Sequence, residues 1–446
     1  MRHARAVIIG GGIVGCSALW HLARKGWTDL LLLERDELTA GSTWHAAGNC
    51  PNFSTSWALL NLQRYATRLY RELGQLTGSA INYHVTGSIR LAQGPTRLDE
   101  YRHVAAIANT LDLEFEVLPP DELKRRYPPL ETAGLLGGLW DPGDGDIDPS
   151  QATQAFASGA RALGATTLRG CPVTALARHG EVAALVGQRL PIVSLQHQYL
   201  VTEGLAELAG AGPKLPLLRD PDDSYYLRQE RDGLLLGPYE KERAVAVWDA
   251  GIPPGFVAEL FPDDLERLER YIELAVGRVP LLGQAGVKRV VNGPIPYTPD
   301  GNPLIGPAFQ PGLDLRGLYL CCAFSFGIVQ GGGAGKAIAD IVAEGESEWD
   351  LWALDPRRFT AHCDAAYTRA KALEIYQNEY AVGAPHQFGE EPEDLPGQRI
   401  ARLGPIEGDG GDPVGHLVTH DVGHRGGLPR CRRESGDAAS AGGGEV

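Results

Sequence analysis

A glycine-rich turn between two apolar runs near the N-terminus most constrains the fold. The run Ala6-Val7-Ile8-Ile9 passes directly into Gly10-Gly11-Gly12-Ile13-Val14-Gly15, and apolar residues at helical spacing follow. A second apolar run, residues 30–33, ends in Glu34-Arg35. The order of strand, glycine turn, helix and strand predicts a βαβ unit that binds a dinucleotide.

Each glycine of this turn has a separate predicted role. Gly10 permits the tight turn, Gly12 lets backbone N–H groups approach a pyrophosphate, and Gly15 lets the helix pack closely on the strand. Glu34, about 20 residues further along, is placed to accept hydrogen bonds from an adenosine ribose. Its charge disfavours the 2′-phosphate of NADP, so NAD and FAD remain as alternatives.

Composition excludes several other classes of protein. The 446 residues carry 41 Lys+Arg against 56 Asp+Glu, and the net charge of -15 argues against nucleic acid or an anionic membrane as the partner. The longest apolar stretch, around residues 318–329, is shorter than the about 20 residues of a membrane helix. The early first strand leaves no room for a cleavable signal, and the 7 Cys form no C-x-x-C pair. We therefore expect a cytoplasmic protein with reduced thiols and no metal site.

A loop of small residues follows the second apolar run. Residues 41–48 read Gly-Ser-Thr-Trp-His-Ala-Ala-Gly, and this low bulk lets the backbone lie against a flat ring system. His45 is the single nucleophilic side chain in the loop. The alternative is that His45 is an ordinary loop histidine.

This loop resembles the segment by which dimethylglycine and sarcosine dehydrogenases bond FAD covalently, through a histidine nitrogen on the flavin 8α-methyl carbon. Five further segments resemble the same family in the same order: residues 87–92, 143–149, 197–199, 224–230 and 292–300. The resemblance covers roughly residues 5 to 390. Related sarcosine oxidases hold flavin by a cysteine near the last segment, and 293–296 contain none.

The resemblance implies an α/β fold, α+β overall. It consists of a Rossmann-like FAD-binding domain of the D-amino-acid-oxidase and glutathione-reductase type, with an antiparallel-sheet substrate domain. The FAD-binding domain is expected at 1–85, 140–185 and 290–345, the substrate domain at 86–139 and 186–289, and a helical extension at 346–394. FAD bound covalently through His45 is the expected cofactor. The expected FAD-binding residues are Gly10, Gly12, Ile13, Gly15, Glu34, Arg35, Ser42, Thr43, His45, Ala46, Gly48, Val173, Gly327, Ile328 and Gly331.

Two residues are the predicted catalytic pair. His197 lies in an alternating strand-like run, and Tyr226 lies in a second, aromatic-rich one. By resemblance, the imidazole helps the substrate lose its ammonium proton and the phenol orients the amine or the carboxylate. The structural alternatives are a satisfied strand histidine and a sheet-packing aromatic.

The resemblance implies a small N-methylated amino acid as substrate, with dimethylglycine preferred and sarcosine as the alternative. The electron acceptor is expected to be an electron-transfer flavoprotein or oxygen. An NAD-dependent dehydrogenase is a rival supported by the glycine turn alone, and it leaves His45 unexplained.

A second glycine cluster, residues 327–335, follows an apolar run at 318–322. By resemblance it is a loop that holds FAD before a helix, whose N-terminus would stabilise negative charge on the flavin pyrimidine. The alternative is close packing of a helix. Two further helix starts are predicted, one capped by Asp263 with a buried face from Leu265 to Val276, and one at Asp355-Pro356.

The chain departs from the family pattern at two places. Residues 172–174 resemble a family strand, but 181–187 already resemble a later helix, so about two dozen residues, several strands of about 5–6 residues each, are missing. Loss of a parallel strand would expose sheet edges and remove FAD contacts. An inactive remnant of the fold is therefore a further alternative. From about residue 395 the sequence has no apolar periodicity and is predicted to be disordered.

Overall fold

The computed structural model describes residues 3–178, 181–183, 190–210, 212–248, 251–253, 255–309 and 315–382. All of them belong to one unit, Met1–Val382. The predicted tail from residue 395 lies outside the described residues.

The described α-helices are α1 (Ile13–Arg24), α2 (Trp57–Thr77), α3 (Pro95–Asn109), α4 (Pro120–Arg126), α5 (Pro149–Ala162), α6 (Leu265–Arg278), α7 (Gly327–Glu344) and α8 (Ala365–Gln377). Short 3-10 helices cover Ala206–Leu208, Pro280–Gln284, Trp352–Leu354 and Pro356–Arg358. The described strands are β1 (Ala6–Ile9), β2 (Leu30–Leu33), β3 (Asn49–Cys50), β4 (Tyr83–Val85), β5 (Ser88–Ala92), β6 (Glu116–Leu118), β7 (Gly137–Asp141), β8 (Gly145–Ile147), β9 (Thr166–Leu168), β10 (Leu176–Arg178), β11 (Glu181–Ala183), β12 (Val193–Thr202), β13 (Leu217–Asp220), β14 (Tyr225–Glu230), β15 (Gly233–Pro238), β16 (Ala246–Val247), β17 (Val287–Tyr297), β18 (Leu304–Pro307) and β19 (Tyr319–Cys322).

The predicted βαβ unit is confirmed in a parallel sheet of order β1-β2-β9. Residue 6 pairs with residue 30 in parallel register, and α1 connects the two strands. Gly15, in the first turn of α1, lies so close to the glycine turn that a Cβ there would collide with the carbonyl oxygen of Gly10. Helices α1, α2, α5 and α7 share one apolar core with β2. Within the described residues, β1 pairs with β2 alone.

A larger sheet supplies the second layer, in the order β16-β12-β15-β14-β13-β5-β7-β6, with β17 also paired to β12. Its pairs are antiparallel except β13 with β5, which run parallel. The expected antiparallel sheet is therefore present. Helix α6 packs its apolar face into the core of this sheet. The order places β12, β13 and β14, which follow one another along the chain, close together, and it places β5 from a distant part of the chain beside β13.

The second glycine cluster differs from the prediction, because it lies inside α7 and not in a loop before it. A Cβ on Gly333 would lie 2.5 Å from the Cα of Leu62 in α2, and a Cβ on Gly335 would lie 2.6 Å from the backbone of Ser17 in α1. These glycines let three helices approach closely, which was the structural alternative.

Several local predictions were also wrong. Residues 172–174 form no strand, and residues 181–183, predicted as part of a helix, form β11. The N-cap of α6 is Asp264, whose side chain accepts a hydrogen bond from Arg267 N, and not Asp263. Leu265, the first residue of α6, is exposed and does not belong to the buried face. Asp355-Pro356 opens only a short 3-10 helix.

No helix among the described residues is long and apolar enough to cross a membrane. The same part of the chain contains no cluster of His, Cys, Asp and Glu arranged to hold a metal ion. Its six cysteines are free thiols.

Candidate functional site

A single cavity gathers most of the predicted site residues. It lies between the glycine turn, the loop 42–49, strands β12 to β14, the residue that follows β15, the C-terminal half of β17 and the start of α7. The predicted residues that line it are Gly12, Ile13, Ser42, Thr43, His45, Ala46, Gly48, His197, Tyr226, Gly327 and Ile328. The cavity thus brings the predicted cofactor loops and the two predicted sheet residues together.

His45 presents a free nitrogen to this cavity. Its Nε2 atom is buried and has no hydrogen-bond partner among the described residues. Burial lowers the pKa of His45 to about 4, so the imidazole is neutral and keeps a lone pair at neutral pH. Gly293 makes room for the ring, since a Cβ at that position would lie 2.5 Å from His45 Nδ1. An orphaned neutral imidazole fits attachment to a flavin.

The glycine turn is joined to the loop and to Glu34. The two carboxylate oxygens of Glu34 accept hydrogen bonds from Gly11 N (2.6 Å) and Asp36 N (2.8 Å) and retain lone pairs for a ribose. Thr43 Oγ1 accepts a hydrogen bond from Ile13 N at 3.3 Å. This arrangement fits the adenosine and pyrophosphate portions of FAD.

The remaining predicted cofactor residues do not line the cavity. Gly10 and Gly15 shape the turn, and Gly331 packs against Ile13 from inside α7. The guanidinium of Arg35 forms an ion pair with Asp36 at 3.0 Å. Val173 is half-buried in a segment without regular structure.

His197 and Tyr226 form a hydrogen-bonded pair on the sheet. His197 Nε2 lies 3.2 Å from Tyr226 Oη, and His197 Nδ1 lies 3.1 Å from Tyr376 Oη. Burial, with smaller contributions from His45 and Arg267, lowers the pKa of His197 to about 3. The imidazole is therefore neutral at physiological pH and has both nitrogens within reach of phenols. It is better arranged to fix Tyr226 than to take a proton from the substrate.

Sequence reasoning missed several residues of the site. Arg219 and Tyr239 line the cavity, and Arg219 Nη1 donates to the hydroxyl of Tyr380 at 2.8 Å. Tyr376 lies in α8, and Tyr380 lies just after the helix. Their spacing of four residues is the sequence signal that the two side chains share a face. The C-terminal helical segment thus contributes side chains to the site formed by the large sheet.

Comparisons with known proteins show the family of the chain. The family model described as "FAD dependent oxidoreductase" matches residues 5–341, and the model of the central domain of that description matches residues 344–393. Human mitochondrial dimethylglycine dehydrogenase is 39% identical over 431 positions, which cover 90% of this chain and 49% of that protein. Human mitochondrial sarcosine dehydrogenase is 34% identical over 90% of this chain and 46% of that protein.

The chain therefore spans about half the length of the curated relatives it matches. Among solved structures, L-proline dehydrogenase from P. horikoshii superposes with a TM-score of 0.70 at 22% identity, over 80% of this chain and 98% of that one. This similarity concerns the fold alone. With a family match over most of the chain and a cavity that fits FAD, the chain belongs to the FAD-dependent oxidoreductases.

Proposed function

We propose that this chain catalyses FAD-dependent oxidative demethylation of an N-methylated glycine, with N,N-dimethylglycine preferred, giving sarcosine or glycine and formaldehyde. The observation that carries the proposal is the orphaned Nε2 of His45 in the same cavity as the His197–Tyr226 pair. The identity to dimethylglycine dehydrogenase, higher than that to sarcosine dehydrogenase, supports the choice of substrate.

When bound, FAD supplies a hydride acceptor at N5 for the substrate's N-methyl group. Gly12 and Thr43 would face the phosphates. His45 would hold the flavin through a covalent bond to the 8α carbon of the flavin. Gly327 begins α7 at the cavity wall, so the positive end of the helix would stabilise negative charge on the pyrimidine. We assign the cofactor contacts to the predicted segments 1–85, 140–185 and 290–345.

The chain's own residues would orient the amine. Tyr226 Oη is held by His197, and burial raises the pKa of Tyr226 well above its ordinary value, so the phenol keeps its proton. A protonated phenol fixed in this way can donate a hydrogen bond to a neutral amine or to a carboxylate. Only the neutral amine has the lone pair that hydride loss requires, so the site would select that form.

The covalent attachment can be tested without turnover. The purified protein is precipitated with acid, and the pellet is examined for flavin colour and fluorescence. We expect colour in the parent and in the His103→Ala control, a histidine exposed on α3, and a colourless pellet for His45→Ala. Colour that persists in His45→Ala would overturn the residue assignment. A colourless parent pellet would overturn covalent attachment.

Two observations favour a second candidate, an inactive protein of the same fold. Strand β1 has one open edge in the described part of the chain. The alignment to dimethylglycine dehydrogenase has 431 positions, more than the 90% of this chain that it covers, so the relative carries residues that this chain lacks. Turnover of dimethylglycine and sarcosine by the flavin-loaded protein separates the candidates. The electron acceptor, an electron-transfer flavoprotein or oxygen, and the cytoplasmic location are further proposals. The two relatives compared above are both named as mitochondrial.

A further inference from the structure

We propose that four side chains carry the ammonium proton of the bound substrate from the cavity to an internal carboxylate, in the order Tyr226, His197, Tyr376 and Glu240. We call these four residues the relay. The inference rests on the proposed function, because it names the residues that leave the amine neutral for hydride loss. Tyr376 and Glu240 lie outside the motifs that the sequence analysis identified.

The relay is one continuous row of hydrogen bonds. Tyr226 Oη lies 3.2 Å from His197 Nε2, and His197 Nδ1 lies 3.1 Å from Tyr376 Oη. Tyr376 Oη donates to Glu240 Oε2 at 3.4 Å. Tyr226 and His197 line the cavity, whereas Tyr376 and Glu240 are 0% and 1% exposed. The row therefore leads from the cavity wall into the interior of the protein.

Glu240 sets the direction of the hydrogen bonds at the inner end of the relay. Its carboxylate forms an ion pair with Arg267 and accepts a further hydrogen bond from Gln198 Nε2 at 3.2 Å. An ionised carboxylate can only accept, so the hydroxyl proton of Tyr376 points to Glu240. The oxygen of Tyr376 is then left to accept a hydrogen bond from the imidazole.

This order fixes the tautomer of His197. Because Tyr376 accepts, Nδ1 of the imidazole carries the hydrogen, and the neutral ring keeps a lone pair on Nε2. That lone pair accepts the hydroxyl proton of Tyr226. The oxygen of Tyr226 is therefore free to accept a hydrogen bond from a substrate ammonium in the cavity.

One concerted proton shift along the relay converts the ammonium into a neutral amine. An N–H bond of the substrate breaks and an O–H bond forms on Tyr226, whose previous proton moves to His197 Nε2. The Nδ1 proton of His197 moves to Tyr376, and the previous proton of Tyr376 forms an O–H bond on Glu240. No electrons leave the substrate in this step. Tyr226 then points its new proton at the neutral amine, which is the donor role proposed above.

The electrostatic surroundings favour a transfer that does not stop at His197. Burial, with smaller contributions from His45 and Arg267, lowers the pKa of His197 to about 3, so a doubly protonated ring is costly. The ring of Tyr239, 4.9 Å from that of His197 between centres, is a phenol whose pKa burial raises further. Burial also raises the pKa of Glu240 against the opposing charge of Arg267, which makes this carboxylate a better proton acceptor than an exposed one.

Glu240 is a temporary store for the proton. Its protonation would remove the counter-ion of Arg267, which is 4% exposed and otherwise donates to Gln196 Oε1 at 2.7 Å. A buried arginine without an anion is costly, so the arrangement favours return of the proton. The demethylated product is again an amine and can take the proton back along the same row.

Glu379 is the other buried acid near these side chains, and it is not connected to the relay. Burial raises its pKa to about 7, and its Oε2 accepts a hydrogen bond from Tyr297 Oη at 2.8 Å. The rings of Tyr297 and Tyr376 meet edge to face with centres 5.5 Å apart. Among the described contacts no hydrogen bond joins Glu379 to the four relay residues, so Glu240 is the acceptor at the end of the row.

The direction of the relay can be measured without turnover. Protein with ¹⁵N-labelled histidine is loaded with flavin, long-range proton–nitrogen spectra show which ring nitrogen carries hydrogen, and His197→Gln identifies the signal. We expect Nδ1–H in the parent. Tyr376→Phe removes the acceptor of Nδ1, so His197 should change to Nε2–H and donate to Tyr226. The control Tyr271→Phe removes a buried phenol that accepts a hydrogen bond from Lys241 N at 2.8 Å, and should keep the parental tautomer.

The second measurement is the rate of anaerobic flavin reduction by dimethylglycine at two pH values. At neutral pH the free substrate is an ammonium, and Tyr376→Phe should be reduced at least about 10-fold more slowly than the parent. Above the pKa of the substrate amine no relay is needed, and the two rates should agree. A structural role would slow the variant equally at both pH values. Glu240→Gln should give the same profile, and Tyr376→Phe alone decides if loss of the ion pair with Arg267 prevents folding.

The outcomes separate the relay from the proposed reaction. Nε2–H in the parent, an unchanged tautomer in Tyr376→Phe, no slowing of that variant at neutral pH, or equal slowing at both pH values would overturn the relay. A parent with the expected Nδ1–H, whose flavin is reduced by neither dimethylglycine nor sarcosine at either pH, would overturn the proposed reaction and leave the direction of the hydrogen bonds standing.

Discussion

His197 lies between two phenols of different origin. Tyr226 comes from a neighbouring part of the same sheet, whereas Tyr376 comes from α8, 179 residues further along the chain. Strand alternation and resemblance could single out His197 and Tyr226 as candidates, because these two signals depend on the local sequence. Tyr376, Tyr380 and Arg219 could not be predicted in this way. Their role depends on contacts between distant segments, and no short motif marks it.

This pairing predicts unequal effects of two substitutions. Tyr226→Phe removes the hydroxyl that would orient the substrate, and should slow anaerobic reduction of the bound flavin by dimethylglycine about 10²-fold. His197→Gln should slow it less, because the imidazole would act through Tyr226. The control Tyr65→Phe removes a phenol that lies 2.9 Å from His21 Nε2, outside the cavity, and should leave the rate unchanged. Reduction by both site variants at the parental rate would refute the assigned roles.

Helix α7 combines a site function with a packing function. Its first residues line the cavity, and the glycines of its next turns contact α1 and α2. The sequence predicted the position of the glycine cluster, but the family resemblance assigned it to a loop. Glycine is usually unfavourable inside a helix. Close approach of neighbouring helices outweighs that propensity here. Such an approach is a property of the packed core and is not visible in the helix sequence.

Two glycines in different helices provide a test of this explanation. Gly333→Ala would force a methyl group onto the backbone of Leu62 and should lower the free energy of unfolding by about 1–3 kcal/mol. Gly277 lies in α6, and a Cβ at this position would have no neighbouring atom within 4 Å. Gly277→Ala should therefore raise the free energy of unfolding by about 0.5–1 kcal/mol. Urea unfolding followed by circular dichroism measures both. Equal effects of the two substitutions would show that packing does not explain the α7 glycines.

At the scale of the whole molecule, the large sheet and the parallel sheet have different degrees of protection. The large sheet has its catalytic candidates on inner strands with partners on both sides. In the parallel sheet, β1 leads directly into the glycine turn yet has one open edge in the described residues. The sequence predicted such an exposed edge from the apparent loss of a family strand. It could not predict which strand would be left at the edge, since that depends on the order of strands in space.

The open edge predicts a tendency to aggregate. Val7 and Ile9 are 50% and 52% exposed on β1, and an unprotected apolar edge strand is a template for pairing between chains. A lysine at such an edge disfavours pairing, so Val7→Lys should slow the growth of light scattering on mild heating while leaving the flavin absorbance unchanged. Leu76 is 44% exposed but lies on helix α2, which offers no strand edge, and Leu76→Lys should not slow aggregation. If the two variants aggregate at the same rate, charge alone explains the effect, and the edge of β1 is protected in solution.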